Sequence, residues 1–297
     1  MGTVQASLVV IGDEILDGHV ADANTGVLAR ALARHGVALQ RTHTVGDDPD
    51  AIAEAVHAEL ARSRPRLLVT SGGIGSTPDD ITFTAVAAAL DRPVERNDVV
   101  AARLEASLDR QRDLGIPIGP DVVEPMMRMA DLPVGARLLA DVSGWVPAVV
   151  VDLDGGVAAD GVTVAILPGV PGAFAHIVDE GLVPIVAGRN PVPEVVEVTH
   201  GLPESLLNPV FAVVGRDFPD VKLGSYPGRP MLVRLTGPGD RARAAADRVA
   251  THLEDLLATD GGRRLARQWG GREDVATRSS DQAMAARTDD DPEEEDL

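Results

Sequence analysis

Short apolar runs that alternate with helix-periodic stretches constrain this chain more than any other feature. ASLVVIG (6–12), VALQRTHTV (37–45) and RLLVTS (66–71) read as strands, the first and third apolar on both faces. Between and after them, NTGVLARALARHG (24–36), DDPDAIAEAVHAEL (47–60) and DDITFTAVAAAL (79–90) read as helices. Asn24 suits an N-cap and Gly36 a C′ position, while Asp48 followed by Pro49 suits a helix start. A strand buried on both faces needs helices above and below it, so the alternation predicts a mostly parallel sheet in a three-layer α/β/α sandwich. Ligands on such sheets bind at the carboxyl ends of the strands.

The remainder is less regular. Residues 99–115 read as a helix, 117–133 allow only short helices among prolines, and TVAILPGVPGAF (163–174) is a further buried strand ending in a Gly/Pro turn. Two strands, EVVEVTHG and PMLVRLTG, and the amphipathic helix DRARAAADRVATHLEDLL predict a small α+β domain. The expected organisation is therefore a first domain at 1–175, a second at 176–260 and an acidic tail at 261–297, disordered from about residue 270.

Charge narrows the partners. The net charge is −19 and Lys222 is the sole lysine, so the field opposes nucleic acid and anionic membranes. Such a surface suits a high-salt cytoplasm; a GC-rich genome favouring Arg, Ala and Gly codons is the alternative. No cysteine occurs, which removes disulfides, thiolate metal sites and a cysteine nucleophile. The sequence has no signal-peptide core and no long apolar run, so a cytoplasmic protein is expected.

One loop, SGGIGSTPDDIT (71–82), carries both glycines and acids. Gly72, Gly73 and Gly75 permit a backbone N–H cradle for phosphate between Ser71 and Ser76, with Thr77 as the expected cap of the next helix. Neither the P-loop nor the dinucleotide fingerprint is present. Asp79 and Asp80 have a plain reading as first-turn acids favoured by the helix dipole. Yet Asp13 and Glu14 follow the first strand and Asp47 follows the second, so carboxylates from three loops converge on one edge. A hard divalent cation such as Mg²⁺, taking one or two carboxylates plus phosphate oxygens, would reconcile them with an anionic ligand.

IGDEILDGHVADANTGVLARAL, VGDD, SGGIGSTPDDIT and LPGVP, in this order, resemble the MoaB/Mog family of molybdopterin-binding proteins, and most closely its CinA-like branch; GLPES (201–205) resembles the second CinA domain. The resemblance implies an α/β sandwich that binds molybdopterin or a nucleotide. In that family the fold supports adenylyl transfer to molybdopterin with Mg²⁺, or metal-dependent cleavage of ADP-ribose and related pyrophosphates. It maps the catalytic carboxylates to Asp47 and Asp80, and the metal ligands to Asp13, Glu14, Asp79 and Asp80. It maps ligand binding to Gly12, Asn24, Ser71, Gly72, Gly73, Gly75, Ser76, Thr77, Thr82, Pro168, Gly169 and Pro171. A hydrolase acting on a nucleotide pyrophosphate is the favoured expectation. A non-catalytic pterin- or nucleotide-binding module and adenylyl transfer are the alternatives, with homo-oligomerisation left open.

The sequence departs from the family at Gly75-Ser76-Thr77, where G-P-T is usual, and at SGWVPA (143–148), where G-T-A-P-G is usual. Trp145 in that segment could stack on a ring or simply pack. The deamidase activity of longer CinA proteins is not expected of this chain, which closes on acids.

Overall fold

The computed structural model describes residues 2–139 and 147–279. The departing segment at 143–146, with Trp145, lies outside them, as do residues 280–297. The chain divides into two compact units, residues 1–192 and 193 onward.

The first unit begins with β1 (Gln5–Ile11), a single turn α1 (Asp13–Leu16), α2 (Asn24–Ala33), β2 (Ala38–Val45), α3 (Pro49–Leu60), β3 (Arg66–Ser71) and α4 (Thr82–Ala89). It continues through β4 (Val94–Arg96), α5 (Asp98–Asp113), α6 (Pro120–Arg128), β5 (Asp131–Pro133), β6 (Arg137–Leu138) and β7 (Val149–Leu153). It closes with β8 (Val162–Leu167), α7 (Pro171–Ile177) and α8 (Val183–Val186). The six-stranded sheet runs β2-β1-β3-β8-β7-β6, with the first four strands parallel and the last two antiparallel to their neighbours. Alternate residues of the central strands feed two cores. Val9, Ile11, Leu68, Val164 and Ile166 pack with α3, α4 and α5; Leu8, Val10, Leu67, Val69 and Leu167 pack with α2, α7 and α8. This is the expected three-layer α/β/α sandwich with a mostly parallel sheet.

One polar knot interrupts the first core. Glu59 at the end of α3 and Arg66 at the start of β3 are fully buried and paired at 3.1 Å. Ser7 donates to Glu59 at 2.5 Å, and His43 on β2 lies 2.8 Å from its other oxygen. Burial alone would raise the Glu59 carboxyl; the Ser7 and His43 hydrogen bonds and the Arg66 charge outweigh it and hold the group below its usual range.

The second unit holds β9 (Glu194–His200), α9 (Asn208–Asp217), β10 (Lys222–Tyr226), β11 (Met231–Gly237), α10 (Gly239–Leu257), α11 (Asp260–Gly270) and β12 (Ala276–Ser279). Its antiparallel sheet runs β10-β11-β9-β12, and its core joins Val196, Val198, Val233 and Leu235 to Val249 and Leu253 of α10.

Three expectations are corrected here. The boundary lies at 192/193 rather than 175/176, because Phe174, Ile177, Val178 and Leu182 are buried in the first unit's core. The tail does not begin at 261. The Thr259 hydroxyl caps α11 by accepting from Gly262 N at 3.0 Å, and β12 pairs with β9 through Ala276–Ser279. Asn24 is not a cap: Asp22 accepts from Thr25 N at 3.1 Å, and the Asn24 side chain turns into the protein.

Candidate functional site

Because β1, β2, β3 and β8 are parallel, the segments that leave them share one edge. These are Gly12-Asp13, Gly46-Asp47, Gly72-Gly73 and Pro168-Gly169. The chain moves from β1 to one side for β2 and to the other for β3, which puts the crevice of an open α/β sheet at this position. The glycines make the edge tight. A Cβ on Gly72 (φ +107°) would overlap the carbonyl oxygen of Ile11, and one on Gly169 would sit 3.2 Å from Gly72 Cα. Gly73 (φ +63°) leaves room for Thr82 Oγ1 and faces Asp47, whose Oδ1 would be 3.4 Å from an added Cβ.

The loop after β3 is held by its own side chains. Thr82 N donates to Gly73 O and Thr82 Oγ1 to Gly72 O, each at 2.9 Å. Asp80 accepts from Gly75 N on Oδ1 at 2.6 Å, and from Thr77 N and Thr77 Oγ1 on Oδ2 at 2.7 and 2.6 Å. This bonding explains why α4 starts at Thr82 and not at Asp79. The Asp80 carboxylate engages the N–H groups of residues 75 and 77, which folds 76–80 into a turn, and Thr77 gives its hydroxyl to Asp80 instead of capping a helix. Both Asp80 oxygens point into the loop, where the sequence reading had them facing a metal. After these bonds, the N–H groups of Gly73, Ile74 and Ser76 have no acceptor among the described residues.

On the adjacent loops, Asp13 and Asp47 clasp each other. Asp13 N donates to Asp47 Oδ2 at 3.0 Å, and Asp47 N donates to Asp13 Oδ1 at 3.3 Å. Burial is the main reason the Asp47 carboxyl sits above its ordinary range; the negative charges of Asp13, Glu14 and Asp79 add to it, against the Asp13 N–H bond. Glu14 reaches back over Gly12, so that a Cβ there would meet its oxygens at 2.6 Å. Asp79 is exposed. Asp48 caps α3 as expected, accepting from Ala51 N at 2.8 Å.

Asn24 joins the two glycine turns. Its Nδ2 donates to Ser71 Oγ and to Gly169 O, each at 2.8 Å, and its buried Oδ1 has no partner. Ser71 Oγ lies 3.4 Å from Pro168 O. The structure thus gathers Gly12, Asp13, Glu14, Asn24, Asp47, Ser71, Gly72, Gly73, Thr82, Pro168 and Gly169 at one edge. Gly75, Ser76 and Thr77 form the outer loop, and Pro171 opens α7. Sequence reasoning did not single out Leu16, Val20 and Val170, exposed apolar side chains on the segments leaving β1 and β8. Their signal was an apolar residue within a Gly- and Asp-rich connection. Among the described residues, no group of three or more His, Asp or Glu side chains converges as a metal site, and no helix is long and apolar enough to cross a membrane.

Residues 7–188 match the family model described as "Probable molybdopterin binding domain". A protein of Pyrococcus horikoshii is 31% identical over 229 residues, covering 76% of this chain and 86% of that one. A CinA-like protein of Geobacter metallireducens is 30% identical over 249 residues, covering 82% of this chain and 57% of the relative. The crystal structure of CinA from Thermoplasma acidophilum, described as of unknown function, is 27% identical with a TM-score of 0.48, covering 59% of this chain and 93% of that one. With the glycine turns, the acidic loops and the α/β/α layers in place, the chain belongs to the family of probable molybdopterin-binding (MoCF biosynthesis) domains and is similar to CinA-like proteins.

Proposed function

We propose that this edge binds a phosphate-bearing pterin or nucleotide and catalyses metal-dependent chemistry at its pyrophosphate bond, with hydrolysis of ADP-ribose or a related dinucleotide as the favoured reaction. The observation that carries this reading is the loop of N–H groups at Gly73, Ile74 and Ser76 without an acceptor among the described residues, with Gly73 facing the Asp47 carboxylate. Fixed donors of this kind stabilise charge that develops on phosphate oxygens. The Asp13–Asp47 clasp leaves one oxygen of each carboxylate uncommitted. The uncommitted Asp13 oxygen, with water and phosphate oxygens, fits Mg²⁺ or a similar ion and does not fit an all-protein cage, which leaves the uncommitted Asp47 oxygen free. The ion would supply charge neutralisation and a more acidic water. Asp47, with its raised proton affinity, is the residue to accept a proton from that water. Asp80 orders the cradle and does not itself touch the ligand.

That Asp80 is spent within the loop also favours a second reading, a module that binds molybdopterin or a nucleotide without turnover. Both readings take a small-molecule ligand from a cytoplasmic pool, and neither calls for nucleic acid or membrane.

Thermal shifts with molybdopterin, ADP-ribose, FAD, ATP and NAD, each with and without Mg²⁺ or Mn²⁺, test binding. A ligand at 100 times its Kd stabilises by about 2.7 kcal/mol. Chromatography of the products then separates the readings: nucleoside monophosphate release supports hydrolysis, and adenylylated molybdopterin supports adenylyl transfer. A shift without product leaves the binding module, and no shift with any phosphate ligand overturns both readings.

A further inference from the structure

Residues 23–46 are the longest stretch of this sequence without an acid, and they carry Arg30, Arg34, His35, Arg41 and His43 in a chain of net charge −19. The fold sets this stretch along one border, because α2 packs on β2 and β2 is the terminal strand of the six-stranded sheet. Arg30, Arg34 and Arg41 are exposed, and none has a carboxylate partner among the described residues. The nearest buried acid, Glu59, is already committed to Ser7, Arg66 and His43.

Among the described residues, no strand pairs with the outer side of β2. Val45 O accepts from Gly12 N, so the main-chain groups of Val45, His43 and Arg41 face β1. A strand's main-chain groups alternate in direction, which turns those of Thr42 and Thr44 outward. Both residues are exposed, and the strand carries neither lysine nor proline. The shift in register between Ala6 and Ser7 bulges only the start of β2 and leaves its second half regular.

We propose that the β2 border is a docking surface for an acidic, extended polypeptide segment that joins the sheet as a further strand. Main-chain bonds to Thr42 and Thr44 would supply the pairing, as in other strand additions. The arginines would select acidic side chains and speed the encounter. A second copy of this chain fits less well, since pairing the border with itself brings two sets of unpaired arginines to one seam. Nucleic acid has no strand to add and meets the overall negative field.

The test uses the full chain and two labelled peptides, twelve residues each, of alternating valine with glutamate or with lysine, read by fluorescence anisotropy. The expected result is binding of the glutamate peptide about tenfold tighter than the lysine peptide, weakened about tenfold by Arg41→Glu or Thr42→Pro. Hydrogen exchange should show protection at Thr42 and Thr44 on peptide addition. Arg41 is exposed, so Arg41→Glu keeps the test valid if the proline variant melts early. Equal binding of the two peptides, insensitivity to both variants, preference for a single-stranded oligonucleotide, or a dimer through β2 in solution would each overturn the proposal. Binding seen only after removal of residues 280–297 would make the chain's own acidic end the occupant, and would also overturn it.

Discussion

His200 should make the second unit acid-sensitive, by an amount that can be worked out. Its ring is fully buried at the end of β9. Burial, with the charge of Arg272 adding to it, lowers the pKa from 6.5 to about 4. Leu202 N donates to Nδ1 at 3.2 Å, which requires that nitrogen to be unprotonated, while Nε2 has no acceptor. In the unfolded chain the ring takes a proton near pH 6.5; in the folded unit it does so only near pH 4. Between those values the unfolded state binds more protons, so stability present above pH 6.5 is lost as the pH falls. From pH 7 to pH 5 the loss is about 2 kcal/mol, and it approaches about 3.4 kcal/mol below pH 4.

Trp145 and Trp269 are the two tryptophans, and Trp269 belongs to α11 of the second unit. In a Trp145→Phe background, urea unfolding followed through Trp269 therefore reports that unit. The expected midpoint shift from pH 7 to pH 5 is about 1–2 M, for m near the low end of the usual range. His200→Asn keeps an acceptor for Leu202 N and removes the titration, so its midpoint should fall by much less. Surface carboxylates paired with arginine, such as Asp274, titrate in both proteins and cancel. Parallel losses in parent and variant would refute the argument.

Five further outcomes are expected. Asp80→Asn turns an NH₂ toward loop N–H donors in place of one acceptor, removing at least one bond worth about 1.5–3 kcal/mol, so calorimetry should show weaker ligand binding. Asp47→Asn should instead retain binding and lose turnover; loss of both would place Asp47 in the cradle. Gly73→Val should abolish phosphate binding and lower the melting temperature, because φ +63° resists a β-branched residue and Thr82 fills the space; unchanged affinity would remove the cradle. Deleting residues 271–297, harmless on the sequence reading, should lower the Trp269-reported midpoint, because β12 pairs with Val196–Thr199. That midpoint should also rise with KCl as the −19 charge is screened, and a flat response would favour codon bias over adaptation to salt.

Much of this architecture was legible in the sequence. Runs apolar on both faces, such as ASLVVIG and RLLVTS, can only be buried between two layers, and that determines a covered parallel sheet. Parallel strands bring their outgoing loops to one edge, so the grouping of Gly12, Asp13, Asp47, Gly72 and Gly169 also followed from chain order, as did the Asp48–Pro49 helix start. The tertiary structure alone decided which way side chains turn. An aspartate after a glycine loop can face a cation or its own backbone, and Asp80 faces Gly75 and Thr77 because their N–H groups lie within 2.7 Å. An asparagine at a helix start can cap or turn inward, and Asn24 turns inward, where Ser71 Oγ and Gly169 O accept from its Nδ2. The strand β12 was invisible because ATRS has no apolar period; it forms through main-chain bonds to β9, and such partners belong to the fold rather than to local sequence.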